Sequence, residues 1–247
     1  MVEIALETRD LRKNFGGLAV LEGIDFALGR GERHAIIGPN GSGKSTFVNV
    51  VTGLLPPSSG TILMFDRDIT AATPQQRTHA GLARSFQINT LFPALNPLQS
   101  TVAAMCQRDG IRGLSLKPLM RHRPQIEEAA ALLERYGLGD DALVTTRLLP
   151  YGKQRLLEIA LGVALRPRVL VLDEPAAGLS TGQGHDLFAR LAELPPETAI
   201  IFVEHDMGLV FSHADRISVF AGGRMLAQGR PDEVRANDAV RAAYLGT

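Results

Sequence analysis

The sequence predicts an α/β protein with a parallel-sheet core, a strand-rich N-terminal part and a mostly helical insertion. Three observations carry this. Residues Gly38 to Thr46 (Gly-Pro-Asn-Gly-Ser-Gly-Lys-Ser-Thr) fit the phosphate-loop pattern G-x-x-x-x-G-K-[ST] at every fixed position. Val169 to Leu172 and Ala199 to Val203 are continuous apolar runs, as strands buried on both faces require. Between these features, about residues 88–150 change to a helical character.

Taken in order, residues 1–37 read as strand-rich. Gly16-Gly17 supplies turn geometry, and Asp25 to Leu28 runs into the turn Gly29-Arg30-Gly31. His34-Ala35-Ile36-Ile37 is a short buried strand that feeds the phosphate loop, and Phe47 to Val51 continues as a helix. Pro56 to Gly60 is a turn and Thr61 to Phe65 a strand. In the insertion, Ile126, Ala129, Ala130 and Leu133 give Pro124 to Tyr136 helical spacing. Arg112 to Arg123 is basic and loop-like, Arg121-His122-Arg123 reads as solvated, and Cys106 as a small buried hydrophobe. After residue 150 a helix is expected from Gln154 to Leu165, followed by strands and helices in alternation. No internal repeat is visible, so one nucleotide site is expected.

The chemistry follows from two motifs. Backbone N–H groups of Gly38, Pro39-Asn40-Gly41-Ser42-Gly43 and the Lys44-Ser45-Thr46 turn would curl around phosphates, Pro39 lending only its shape. Lys44 would reach the β- and γ-phosphates, and the Ser45 hydroxyl would hold Mg²⁺. The helix that follows favours an anion at its N-terminus. The run Val169 to Leu172 ends in Asp173-Glu174. The first acid is placed to help hold Mg²⁺, and the second to orient and polarise a water for in-line attack.

Composition bounds the class. The chain has 247 residues, 45% apolar and 21% charged, enough for a full core. Lys+Arg and Asp+Glu are both 26, a balance that argues against gross nucleic-acid binding. One cysteine excludes an internal disulfide and fits a reducing compartment. Met1 leads into Val2-Glu3-Ile4 without a charged-then-apolar leader, and no apolar run approaches a membrane span. A membrane role is therefore expected to come through a partner.

With both motifs placed, the chain resembles the ATP-binding subunit of ABC transporters over nearly all its length. The resemblance implies a phosphate-loop ATPase core with an N-terminal antiparallel β subdomain (residues 1–87 and 151–247) and a helical subdomain at about 88–150, in one domain of 1–247. Gln87 in Ala83 to Gln87 matches the family's Q-loop glutamine, which contacts Mg²⁺ and water. His205 matches the switch histidine at the γ-phosphate, and Phe15 stands where an aromatic stacks on adenine. Leu149-Pro150-Tyr151-Gly152-Lys153 occupies the signature, offered to the ATP of a partner subunit, with Gly152 keeping its amide there. Ala177 to Ser180 occupies the D-loop.

Two departures stand out. The common signature is Leu-Ser-Gly-Gly-Gln; here Pro150, Tyr151 and Lys153 replace its Ser, first Gly and Gln, and Ser180 replaces the D-loop aspartate. Pro150 offers neither hydroxyl nor N–H, so unequal composite sites are expected with a non-identical partner, while Lys153 adds a cation that could reach the phosphate. The tyrosine is similar to that of branched-chain amino acid importers, as are Phe15 to Leu18, Leu91 to Pro93, Asp173 to Gly178, Glu204 to Met207 and Ala243 to Gly246. The resemblance implies ATP and Mg²⁺, a second ABC ATPase subunit, membrane-spanning permease subunits, a periplasmic solute-binding protein acting indirectly, and a peripheral place on the cytoplasmic face of the inner membrane. Residues 87–98 are expected to line the groove that receives the permease. Two alternatives stay open: a non-transport member of the superfamily acting in translation or DNA repair, and a phosphate-loop kinase.

Overall fold

The computed structural model describes residues 3–85, 91–111 and 119–244. The chain divides into two compact units. The first comprises Met1–Leu82, Arg168–Glu174 and Pro195–Thr247, and the second Ala83–Pro167 and Pro175–Leu194.

The first unit contains two sheets. Strands β1 (Ile4–Phe15) and β2 (Leu18–Gly29) form a long antiparallel hairpin closed at Gly16-Gly17, with Phe15 opposite Leu18. β3 (Arg33–Ile37) leaves this hairpin for the second sheet, and helix α1 (Lys44–Val51) follows it. β4 (Ser59–Met64) pairs with the other side of β1 and with the short β5 (Arg67–Asp68), giving the order β2-β1-β4-β5. The strand expected to reach Phe65 stops at Met64, because Phe65 and Asp66 take positive φ in the β4–β5 turn. Helix α2 (Pro74–His79) follows, with a Thr73–Gln76 capping box. The chain passes to the second unit through β6 (Leu82–Arg84).

The second sheet holds β7 (Val169–Asp173), β8 (Ala199–Val203), β9 (Arg216–Ala221) and β10 (Arg224–Gly229), ordered β10-β9-β3-β8-β7 within this unit. β9, β3, β8 and β7 are parallel neighbours. β10 turns back antiparallel to β9. The cause is Gly222-Gly223, whose φ values of +53° and +77° a glycine pair adopts without Cβ strain. Three short helices, α7 (Met207–His213), α8 (Pro231–Ala236) and α9 (Asp238–Tyr244), complete the unit.

The two sheets share a core centred on α1. The Phe47 ring meets Phe26 of β2 and Phe220 of β9 edge-on, each at 5.3 Å between centroids. At the other end of α1, the buried Arg77 guanidinium donates to Val50 O at 2.8 Å, Val51 O at 2.5 Å, Thr70 O at 2.9 Å and Ala72 O at 3.0 Å. A cation on the last-turn carbonyls of α1 satisfies groups the helix leaves open and complements its dipole. His34 of β3 is fully buried and chained between Glu32 (2.6 Å to Nδ1) and Ser218 Oγ (2.8 Å to Nε2).

The second unit is helical: α3 (Pro97–Arg108), α4 (Arg123–Arg135), α5 (Tyr151–Ala164) and α6 (Thr181–Ala192). Val102, Met105, Cys106, Ala129 and Ala164 form its core, so Cys106 is the buried hydrophobe expected of it. Arg108 ties the three inner helices, donating to the Glu128 carboxylate at 2.7 Å and to Ala164 O at 2.9 Å. α5 starts at Tyr151, three residues before the expected Gln154, because Pro150 is its N-cap and takes Lys153 and Gln154 N–H on its carbonyl. α6 is capped by Ser180 through a box with Gln183. Ser180, read as a D-loop departure, thus has a local structural task.

Candidate functional site

Parallel strands deliver residues to one edge of their sheet. Asp173 of β7 lies opposite Val203 of β8, and Val203 lies opposite Ile36 of β3. The chain beyond each C-terminal end therefore emerges side by side: the phosphate loop after β3, His205 after β8, and Glu174 after β7. This is where open α/β sheets place their ligands.

The loop's shape is set by close backbone approach. A Cβ on Gly38 would lie 2.2 Å from Phe220 O and 2.7 Å from Ser42 Oγ, so only glycine fits there. The Gly223 N–H donates to Ser42 O at 3.3 Å and the Glu22 N–H to Gly223 O at 2.8 Å, pinning loop, β9–β10 turn and β2 together. These partners were missed in the sequence, although the Gly222-Gly223 doublet signals a turn. Gly43 is the N-cap of α1 and supplies no side-chain cap, so the first-turn N–H groups face outward for an anion. Ser42 Oγ is buried and unpartnered. Pro39, Asn40, Gly41 and Ser45 are exposed, and Thr46 is half-buried.

Lys44 folds back onto its own loop, donating to Gly38 O at 2.7 Å and Pro39 O at 3.0 Å. Burial lowers its pKa, while Glu174 and Asp173 act to raise it, which places all three charges in one field. Glu174 donates its N–H to Val203 O at 2.9 Å and holds φ at +50°, a conformation non-glycine residues adopt at a cost. Its carboxylate meets His205 Nε2 at 3.1 Å, both side chains being half exposed. An orphaned hydroxyl, an uncapped helix start and a cation beside two carboxylates form a donor set that fits a polyphosphate with a divalent ion.

The remaining residues lie elsewhere. Phe15 ends β1 with its ring half exposed and Lys13 Nζ 5.1 Å from the centroid. On the same hairpin, a Cβ on Gly43 would lie 2.9 Å from Val20 O, so β2 abuts the phosphate loop. Gln87 lies outside the described residues. Gly152 is in the first turn of α5, in the second unit. Lys153 is paired with Asp141 rather than left free to reach a phosphate.

Known proteins are similar to this chain along its length. The family model described as "ABC transporter" matches residues 21–177, and the one described as "Branched-chain amino acid ATP-binding cassette transporter" matches residues 224–247. The chain is 38% identical over 253 residues to the high-affinity branched-chain amino acid transport ATP-binding protein LivG of Escherichia coli, covering 100% of this chain and 99% of LivG. It is 37% identical to BraF of Pseudomonas aeruginosa, another such transport ATP-binding protein, over 98% of this chain and 97% of BraF. Among solved structures, the ADP conformation of an ATP-binding cassette of an ABC transporter superposes with a TM-score of 0.84 at 28% identity, covering 99% of each chain.

Proposed function

We propose a function from one premise: the chain belongs to the ABC transporter family, as an ATP-binding cassette resembling those of branched-chain amino acid importers along its whole length. It is the ATP-binding and ATP-hydrolysing subunit of an import system, and it powers uptake of branched-chain or related amino acids. The observation that carries the ATPase reading is the convergence of Lys44, Glu174 and His205 at the C-terminal ends of β3, β7 and β8. A cassette whose relatives are transport ATP-binding proteins favours neither the translation and repair reading nor the kinase.

In this reading the Gly38–Thr46 N–H groups cradle the phosphates, and Lys44 exchanges Gly38 O and Pro39 O for the β- and γ-phosphates. Ser45, Asp173 and Gln87 would hold Mg²⁺, whose bound charge neutralises the phosphates and orients them for in-line displacement. Glu174 takes the proton of the attacking water, and His205, already hydrogen-bonded to that carboxylate, steadies it at the γ-phosphate. Phe15 stacks on adenine. The Gly152 amide, at the start of α5, serves the ATP of a second ATPase subunit bound head-to-tail. Pro150, lacking a hydroxyl and an N–H, makes the two composite sites unequal when that subunit is a different chain.

Among the described residues no helix is long and apolar enough to cross a membrane. We assign the link to the bilayer to permease subunits that bind the exposed apolar side chains Phe92, Leu143 and Leu148 of the second unit. A periplasmic solute-binding protein acts through them, and the chain sits peripherally on the cytoplasmic face of the inner membrane. We treat 1–247 as one ABC ATPase domain, with about 88–150 as its helical subdomain. The test is Lys44→Ala, which is expected to abolish nucleotide-dependent turnover in a folded protein. A normal hydrolysis rate in that variant removes the assignment.

A further inference from the structure

Tyr151, Gly152 and Lys153 form the first turn of α5, and each is held by the second unit itself. The Tyr151 ring lies against Gly178, where an added Cβ would come within 2.5 Å of Cε1. Gly152 faces Leu179, whose Cδ2 would lie 3.1 Å from an added Cβ. Lys153 Nζ is paired with the Asp141 carboxylate, which is 17% exposed. A lysine in the first turn of a helix is disfavoured by the helix dipole, so helix stability does not explain the residue. The ion pair does explain it, and a partly desolvated pair holds better than one on the open surface.

Asp141 belongs to a body that reaches the exposed apolar face. Its carbonyl accepts from Val144 N–H at 2.9 Å, placing Leu143 inside the same turn. Leu98 N–H donates to Ala142 O at 3.0 Å, Thr146 N–H to Leu95 O at 2.9 Å and Arg147 N–H to Pro93 O at 3.3 Å. Residues 92–98 and 138–149 are thereby one hydrogen-bonded piece. It presents Phe92, Leu143 and Leu148 at 61%, 74% and 69% exposure.

We propose that Lys153 and Asp141 are positioning residues: their ion pair is a strut that transmits load from the apolar face to the first turn of α5. A permease seated on Phe92, Leu143 and Leu148 then sets the attitude of that turn toward the second subunit's ATP. This deepens the transport reading above and rests on it. The residue at position 153 acts on the partner's nucleotide through Asp141 and the turn, not as a ligand.

The experiment uses the assembled transporter and the isolated chain side by side. Asp141→Asn is expected to lower permease-dependent stimulation of ATP hydrolysis roughly three- to tenfold, within the range seen for coupling residues. Basal hydrolysis of the isolated chain is expected to stay unchanged. The double exchange Asp141→Lys with Lys153→Asp is expected to restore most of the stimulation. Equal loss of basal and stimulated activity in Asp141→Asn, or no recovery in the exchanged pair, overturns the strut. Phe92→Ala separates the two readings. Stimulation lost in Phe92→Ala but kept in Asp141→Asn sinks the strut and leaves transport standing, whereas a native chain that its permease does not stimulate sinks both.

Discussion

The N-termini of α1 and α5 are held in opposite ways. At α1 the constraints are backbone: Gly38 packs on Phe220 O, Gly223 N–H bonds Ser42 O, and Glu22 N–H bonds Gly223 O. At α5 they are side chains: Tyr151 on Gly178, and Lys153 on Asp141. Backbone constraints admit few residue types, so the first site reads as a motif. Side-chain constraints can be exchanged in pairs, so the second departs from its family's common form while keeping a held turn.

The comparison breaks first at two glycines. Gly38→Ala must push a Cβ against the Phe220 carbonyl, and strain on the order of 3 kcal/mol is expected to weaken nucleotide binding about a hundredfold. Gly152→Ala meets only the flexible end of Leu179 and is expected to leave the chain's own nucleotide binding unchanged. Titration of a fluorescent ATP analogue compares them; equal losses would erase the distinction between the two turns.

Arg77→Leu comes next. It leaves two buried and two partly buried carbonyls without their cation, and a loss of about 3 kcal/mol in urea unfolding is expected. A shift below about 1 kcal/mol would show that α1 does not depend on this clamp. Ser180→Ala should cost about 1 kcal/mol through loss of the α6 cap, while Ser180→Asp, an equally good cap, should be neutral in stability. A destabilised Ser180→Asp would mean that serine does more there than cap.

The smallest effect is in pH dependence, where the two units oppose each other. Burial lowers the His34 pKa below its ordinary value, against the pull of Glu32. The unfolded chain then binds the proton more readily, so this contribution is present above about pH 6.5 and lost as pH falls through the folded pKa. Glu158 of α5, fully buried with Arg155 Nη1 2.5 Å away, is pushed up to about 7 by burial. Its folded state holds the extra proton, so its contribution is present below about pH 4.5 and lost as pH rises through about 7. Hydrogen exchange at pH 5.5 and 7.5 is expected to show β3 better protected at the higher pH and α5 at the lower. The same direction in both would contradict these assignments.

Much of the fold was legible because its signals are local. Val169 to Leu172 and Ala199 to Val203 are apolar on every residue and form β7 and β8, and the expected helix Pro124 to Tyr136 appears as Arg123–Arg135. The β9–β10 hairpin was missed because β10 alternates half-buried and exposed residues and lacks a continuous run. Arg77 reads as a surface arginine until its four carbonyl partners, drawn from the end of α1 and the loop between β5 and α2, are seen together. The Lys153–Asp141 pair spans a separation no helix period signals. The positive φ of Glu174 has no sequence mark at all, since glutamate seldom adopts it. Gln87, placed by resemblance alone, lies outside the described residues.

The central claim is that this chain carries its own hydrolytic residues at the edge formed by β3, β8 and β7. Glu174→Gln tests it most directly, because the amide keeps the size of the carboxylate and one acceptor oxygen but cannot take a proton. ATP binding and pre-steady-state hydrolysis should be measured on the same preparation. The expected result is ATP binding retained, with hydrolysis slowed roughly 10²- to 10⁴-fold. Hydrolysis at the native rate with ATP bound would contradict the account.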